Sequence, residues 1–222
     1  MIDWEDIESV FLDMDGTLLD LNFDNHFWQE FVPQRFAESN NLARDEAKAL
    51  LAPRFKAMEG RLEWYCLDYW SEQLNLDIVG MKAEIDGLIA VLPHVTEFLE
   101  AVRRMGKRLL LVTNAHPKSL GLKMEKTCLN VFFDAIVSSH ALGAPKEDPD
   151  FWRKLGAIEP FDARHTLLAD DSLAVLRSAR AFGIRYPVAV RKHDTTRPSR
   201  DITEFPAIED FRELMPVRLS KD

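Results

Sequence analysis

Two cysteines in 222 residues, Cys66 and Cys128, are too few for a disulfide framework, and they show no C-x-x-C spacing. Both are expected to be small buried hydrophobes, as free cysteines usually are. No apolar run approaches the roughly 20 residues that a membrane span needs. The opening Met1-Ile2-Asp3-Trp4-Glu5-Asp6 is acidic where a secretory signal is basic. Internal repeats and low-complexity stretches are missing. Positive charge is scarce, with 28 basic against 37 acidic residues and a net charge of −9. A surface of that sign repels polyphosphate and anionic headgroups, which argues against nucleic acid or a membrane as partner. The expectation is a monomer, or at most a dimer, in a reducing cytoplasm, acting on a small molecule.

Apolar residues are plentiful, at 46% of the chain, with five Trp and fourteen Phe. That is enough for a real core and excludes global disorder. Short runs rich in Val, Ile and Leu recur: Val10-Phe11-Leu12, Leu109 to Val112, Ala135-Ile136-Val137, Thr166 to Ala169 and Val188-Ala189-Val190. They are too short for buried helices and do not alternate, the pattern of strands covered on both faces of a parallel sheet. Helical segments separate the last four. Val95, Phe98, Leu99 and Val102 make a stripe that Gly106 ends, and Ser172 is placed to cap a helix that Gly183 stops. The reading is an α/β fold, a parallel sheet flanked by helices, with its crevice at the carboxyl ends of the strands.

Almost a hundred residues part the first strand from the second, where a crossover needs a third of that. Residues 21–90 look wholly helical and predict an inserted α-helical cap domain over a core of residues 1–20 and 91–222. Phe27, Trp28, Phe31 and Val32 form one stripe before Pro33 restarts the chain. Leu62, Tyr65, Cys66, Tyr69, Trp70 and Leu74 form a second. The loop from Arg191 to Arg200 is expected to be a solvated connection.

The first strand ends in Asp13-Met14-Asp15-Gly16-Thr17-Leu18. Such a string arises by chance about once in several thousand chains of this length. An EF-hand loop needs Gly at its sixth place and Glu at its twelfth, which here are Leu18 and Asp24. Carboxylates at i and i+2 of a strand end point the same way and can address one phosphorus. One attacks to form an aspartyl-phosphate; the other protonates the leaving oxygen and then takes a proton from water. Two carboxylates beside a phosphate call for a divalent cation, and Mg²⁺ suits oxygen ligands. Further acids follow the fourth strand in Leu168-Ala169-Asp170-Asp171-Ser172, with a helix-cap role for Asp171 or Ser172 as the alternative. Thr113, with neighbouring backbone N–H groups, and Lys146 follow the second and third strands and can hold phosphate oxygens.

In that order, Asp13-x-Asp15-Gly16-Thr17, Thr113, Lys146 and Asp170-Asp171 resemble the four signature motifs of the haloacid dehalogenase superfamily, and the insertion sits where its type 1 cap sits. The resemblance implies Asp13 as nucleophile and metal ligand, and Asp15 as acid–base residue and ligand through its backbone carbonyl. It implies Asp171 as the direct acidic ligand of Mg²⁺, Asp170 acting through water, and Thr113 and Lys146 as phosphoryl ligands. The stretches Phe23 to Trp28, Trp64 to Ser71, Thr113 to Pro117 and Pro145 to Asp148 are similar to those of the bacterial GMP/IMP nucleotidases within the superfamily. The implied activity is hydrolysis of purine nucleoside 5′-monophosphates. A sugar phosphate or phosphoglycolate as substrate, a phosphomutase, and a receiver-like signalling module are the other readings; the last puts its phosphorylated Asp after the third strand. On a helix starting at Leu62, Trp64 lies opposite the apolar stripe beside Asp68 and Ser71. There it can stack a purine while Asp68 accepts from guanine-type N–H groups, or this face simply packs on the core. Asn25 and Asn114 are further contact candidates. His26 and His116 lack metal-ligand spacing and are left without a role.

Overall fold

The computed structural model describes residues 2–216. Six strands, β1 (Ser9–Leu12), β2 (Arg108–Thr113), β3 (Ala135–Ser138), β4 (Thr166–Asp170), β5 (Tyr186–Val190) and β6 (Ala207–Ile208), pair in parallel in the order β3-β2-β1-β4-β5-β6. All five apolar runs of the sequence are strands. The sixth, Ala-Ile alone, is too short to carry a pattern. Successive residues of the strands enter opposite cores. Val10, Leu12, Leu109, Leu111, Leu167 and Ala169 face one side with Val95, Phe98, Leu99 and Val102. Phe11, Leu110, Val112 and Leu168 face the other with Phe151, Trp152, Val175 and Leu176. Both faces being covered explains why the strands do not alternate apolar with polar.

Between β1 and β2 the chain forms α1 (Asn22–His26), a π turn (Phe27–Phe31), α2 (Val32–Asn40), α3 (Arg44–Met58), α4 (Leu62–Tyr65), α5 (Leu67–Leu74) and α6 (Ile78–Glu84). Pro33 sits in the first turn of α2, which follows the π turn without leaving the helical region at Phe31. A separate core forms here from Phe27, Val32, Leu51, Leu67, Trp70 and Ile78. Phe55 packs edge-on against Trp28, Trp64 and Trp70. The neck is narrow: the Asp20 N–H donates to the Ala90 carbonyl, and the Leu92 N–H to that of Leu18, each at 2.9 Å.

Downstream come α7 (Val95–Arg104), α8 (Pro117–Thr127), α9 (Ser139–Leu142), α10 (Pro149–Ile158) and α11 (Leu173–Phe182). The expected stripe of α7 is wholly buried, and Gly106 follows it at φ 67°. Ser172 caps α11 by accepting the Val175 N–H, and Gly183 closes it in the left-handed conformation. Neither cysteine is buried as expected: Cys66 is half-buried and Cys128 exposed. No helix among the described residues is long and apolar enough to cross a membrane.

Candidate active site

The central position of β1 determines where the chemistry-bearing residues meet. Its neighbours are β2 and β4, so residues just past the ends of all three strands converge at the point where the strand order reverses. Oxygens of Asp13, Asp170 and Asp171 all lie within 4.8 Å of one another, an all-carboxylate set suited to a hard divalent ion. Gly16 is what lets Asp171 in. It sits at φ 81°, and a Cβ there would fall 2.8 Å from the Asp171 carboxylate.

Lys146 reaches the cluster from the loop after α9 and is itself buried. Its Nζ donates to Asp13 Oδ1 at 2.5 Å, Asp170 Oδ2 at 2.7 Å and the Val112 carbonyl at 3.0 Å. Asp170 Oδ1 accepts the Ser172 N–H at 2.8 Å, so both its oxygens are engaged, while no hydrogen bond to the Asp171 carboxylate is found among the described residues. Burial pushes Asp13 up to about 7, with Lys146 opposing and Asp170 and Asp15 adding repulsion. Burial likewise raises Asp171 to about 7 and Asp170 to about 6. Lys146 at Asp13 and Asp170, and Arg200 at 3.8 Å from Asp171, are two positive charges against three crowded acids, so the cluster favours a further positive charge.

Asp15 belongs to a second network. Buried Lys123 of α8 donates to Asp15 Oδ1 and to Asp24 Oδ2, both at 2.6 Å, and Lys82 of α6 donates to Asp24 Oδ1 at 2.6 Å. Burial raises Asp15, opposed by Lys123 and reinforced by Asp24. Burial works the same way on Asp24, but Lys123 and Lys82 outweigh it and hold that carboxyl below its ordinary value. A carboxyl that keeps its proton more readily than usual is suited to protonating a leaving group.

Asp13, Asp15, Asn25, Trp64, Thr113, Asn114, Lys146, Asp170 and Asp171 line one cavity of about 390 Å³ between sheet and insertion. Thr113 Oγ1 accepts the Ala115 N–H at 3.0 Å, leaving its own proton to donate. The Asn114 side chain accepts the Lys146 N–H and donates to Glu147, each at 2.9 Å. Asn25 donates to Asp194 at 2.7 Å. Asp68 is the exception. The helix expected from Leu62 breaks at Cys66, whose ψ of 109° leaves the helical region, so Trp64 and Asp68 do not share a face. Trp64 turns to the cavity wall; Asp68 lies outside it, paired with Lys118 at 2.6 Å.

Several cavity residues escaped the sequence. His116 lines the cavity although its spacing gave no sign of it, and Tyr65, read only as stripe, lines it and donates to Glu147 at 2.5 Å. The loop from Arg191 to Arg200 is not merely solvated. It buries Asp194 against Asn25, and Arg200 donates to the Asp171 carbonyl at 2.6 Å with its guanidinium 3.8 Å from that carboxylate. Nothing in its Thr- and Pro-bearing composition signals either contact.

Residues 7–183 match the model of the haloacid dehalogenase-like hydrolases. The chain belongs to that family. It is 41% identical over 215 residues to the GMP/IMP nucleotidase YrfG of Escherichia coli (strain K12), covering 97% of each chain. Phosphoglycolate phosphatase 1 of Pseudomonas aeruginosa is 28% identical over 137 residues, 60% of this chain and 49% of that protein. Among solved structures, a phosphatase of the family from Thermococcus onnurineus superposes with a TM-score of 0.76 over 94% of this chain and 96% of its own, at 20% identity. The hydrolase therefore carries its family's fold from β1 to β6, and its likeness to the nucleotidase spans the insertion as well.

Proposed function

We propose that this hydrolase releases phosphate from purine nucleoside 5′-monophosphates of the GMP and IMP type. The observation that carries the reading is 41% identity over 97% of both chains to a GMP/IMP nucleotidase, insertion included. The insertion, taken as a cap, is where substrate choice resides in this reading. The cavity fits: 390 Å³ lies in the range of small-molecule sites, and its lining joins the acids and Lys146 with the aromatic Trp28, Phe55, Trp64 and Trp70. Trp64 is the candidate to stack the base, with Asn25 and Asn114 as polar contacts. Asp68, outside the cavity, is no longer a candidate.

The carboxylate set fits Mg²⁺. Asp13, the backbone carbonyl of Asp15, and Asp171 would hold it, with Asp170 steadied by Lys146 and Ser172. When bound, the ion offsets the negative charge of the phosphoryl oxygens and of the carboxylates around them. Asp13 attacks phosphorus. Asp15 gives its proton to the departing ribose oxygen, then accepts one from the water that hydrolyses the aspartyl-phosphate. Thr113 donates to a phosphoryl oxygen through its free proton. Lys146 holds Asp13 in place and lowers the charge that the incoming phosphate meets.

Phosphate release from GMP, IMP, a hexose phosphate and phosphoglycolate, each with Mg²⁺ and with chelator, tests the assignment. The purine nucleotides are expected to give the highest kcat/KM, and chelator to remove turnover. Trp64→Ala is expected to raise KM at least tenfold for GMP and much less for phosphoglycolate. Preference for phosphoglycolate would overturn the substrate while leaving the phosphatase chemistry.

A further inference from the structure

Beside the cavity, and separate from the carboxylate cluster, three residues far apart in the chain come together. Cys66 lies at the break between α4 and α5 of the insertion, His116 caps α8 after β2, and His140 lies in α9 after β3. One potential ligand atom from each falls within 4.8 Å of the others, and the two imidazole rings meet edge to face at 4.9 Å. We propose that Cys66, His116 and His140 form a binding site for a divalent transition ion of the Zn²⁺ class, bridging the helical insertion to the sheet.

The state of His140 points to a ligand. Its Nε2 is buried with no hydrogen-bond partner among the described residues, which is unfavourable unless something takes that lone pair. His116 Nδ1 accepts the Lys118 N–H at a long 3.3 Å, and ligation through Nε2 asks it to give up this contact. Asp68 Oδ2 stands 3.6 Å from His116 Nε2 and offers a fourth donor, as does water. Tetrahedral Zn²⁺ takes bonds of about 2.0–2.3 Å, so its ligand atoms sit closer together than the 4.8 Å within which these three already lie.

The donors also separate this site from the first. Thiolate and imidazole favour Zn²⁺, Co²⁺ and their neighbours, whereas carboxylate oxygens favour Mg²⁺. Each ion bound here ties Cys66 of the insertion to His116 and His140 beside the sheet, next to the cavity-lining Tyr65.

Co²⁺ titration of the full-length protein, saturated with Mg²⁺, tests the site. A Co²⁺–thiolate bond gives a near-ultraviolet charge-transfer band that carboxylates cannot produce. Wild type is expected to show it at one equivalent, and Zn²⁺ to displace it. Cys128→Ser and Asp171→Asn should keep the band. Cys66→Ser should lose it while remaining folded, because serine still accepts the Tyr69 N–H that Cys66 Sγ accepts. His140→Ala should weaken Co²⁺ affinity at least tenfold. A wild type without the band, or a band that survives in Cys66→Ser, would overturn the proposal.

Discussion

Single side chains decide how close the carboxylates of this hydrolase come to one another. Gly16 is the tightest instance, since its positive φ and the missing Cβ both serve the approach of Asp171. Gly16→Ala is expected to cost about 1–3 kcal/mol of stability through backbone strain. It should also lower kcat/KM by at least tenfold by displacing Asp171, read by chemical denaturation beside a phosphate-release assay. An alanine variant within twofold of wild type would mean that Asp171 does not need its position. At this scale the sequence was most legible at Asp13, Asp15, Asp170 and Asp171, because tight spacing at strand ends announces a shared site. Lys123 and Arg200 were not legible. Each reaches a carboxylate from a helix or loop remote in sequence, and a solitary Lys or Arg there is indistinguishable from a surface charge. Asp68 shows the opposite failure: Trp64 lines the cavity, but the helix breaks at Cys66 and Asp68 lies outside it.

Elements were legible wherever one burial pattern persisted. The stripe of α7 is an example, and its consequence can be measured. Phe98 is fully buried between Trp4, at a ring distance of 6.2 Å, and Phe211, at 4.8 Å. Phe98→Ala is expected to lose about 3–5 kcal/mol in urea denaturation. A loss below about 1 kcal/mol would show that α7 is not clamped to the sheet as described. The insertion was legible as helical, but its breaks were not. The π turn at Phe27–Phe31 and the interruption at Cys66 arise where aromatic rings from several helices meet around Phe55, and that packing overrides local periodicity. Strand β6 falls below the length at which any pattern exists.

For the whole molecule, an anionic protein acting on an anionic substrate is resolved by where its charges lie. Asp13, Asp170 and Asp171 are all raised by burial, so their ionisation works against the fold. A raised folded pKa gives stability that is present below the unfolded value near 4 and lost as pH climbs through about 6–7. Without metal, wild type should therefore lose stability relative to Asp171→Asn between about pH 4 and pH 7, seen as a narrowing or reversal of their Tm difference. Saturating Mg²⁺ should restore the wild type at the upper end, because it binds the ionised carboxylates. A Tm difference independent of pH would contradict this charge balance. The central claim is covalent transfer of the phosphoryl group from a purine nucleotide to Asp13. Its most direct measurement is the intact mass of Asp15→Asn, quenched in acid after mixing with GMP and Mg²⁺. That variant lacks the acid for the first step as well as the base for the second, so it forms the aspartyl-phosphate slowly and retains it; on prolonged mixing it is expected to gain the mass of one phosphoryl group, mapped to the peptide holding Asp13 and absent when Asp13→Asn is added. Turnover of GMP at a wild-type rate by Asp13→Asn, or a phosphoryl group on any other residue, would contradict the account.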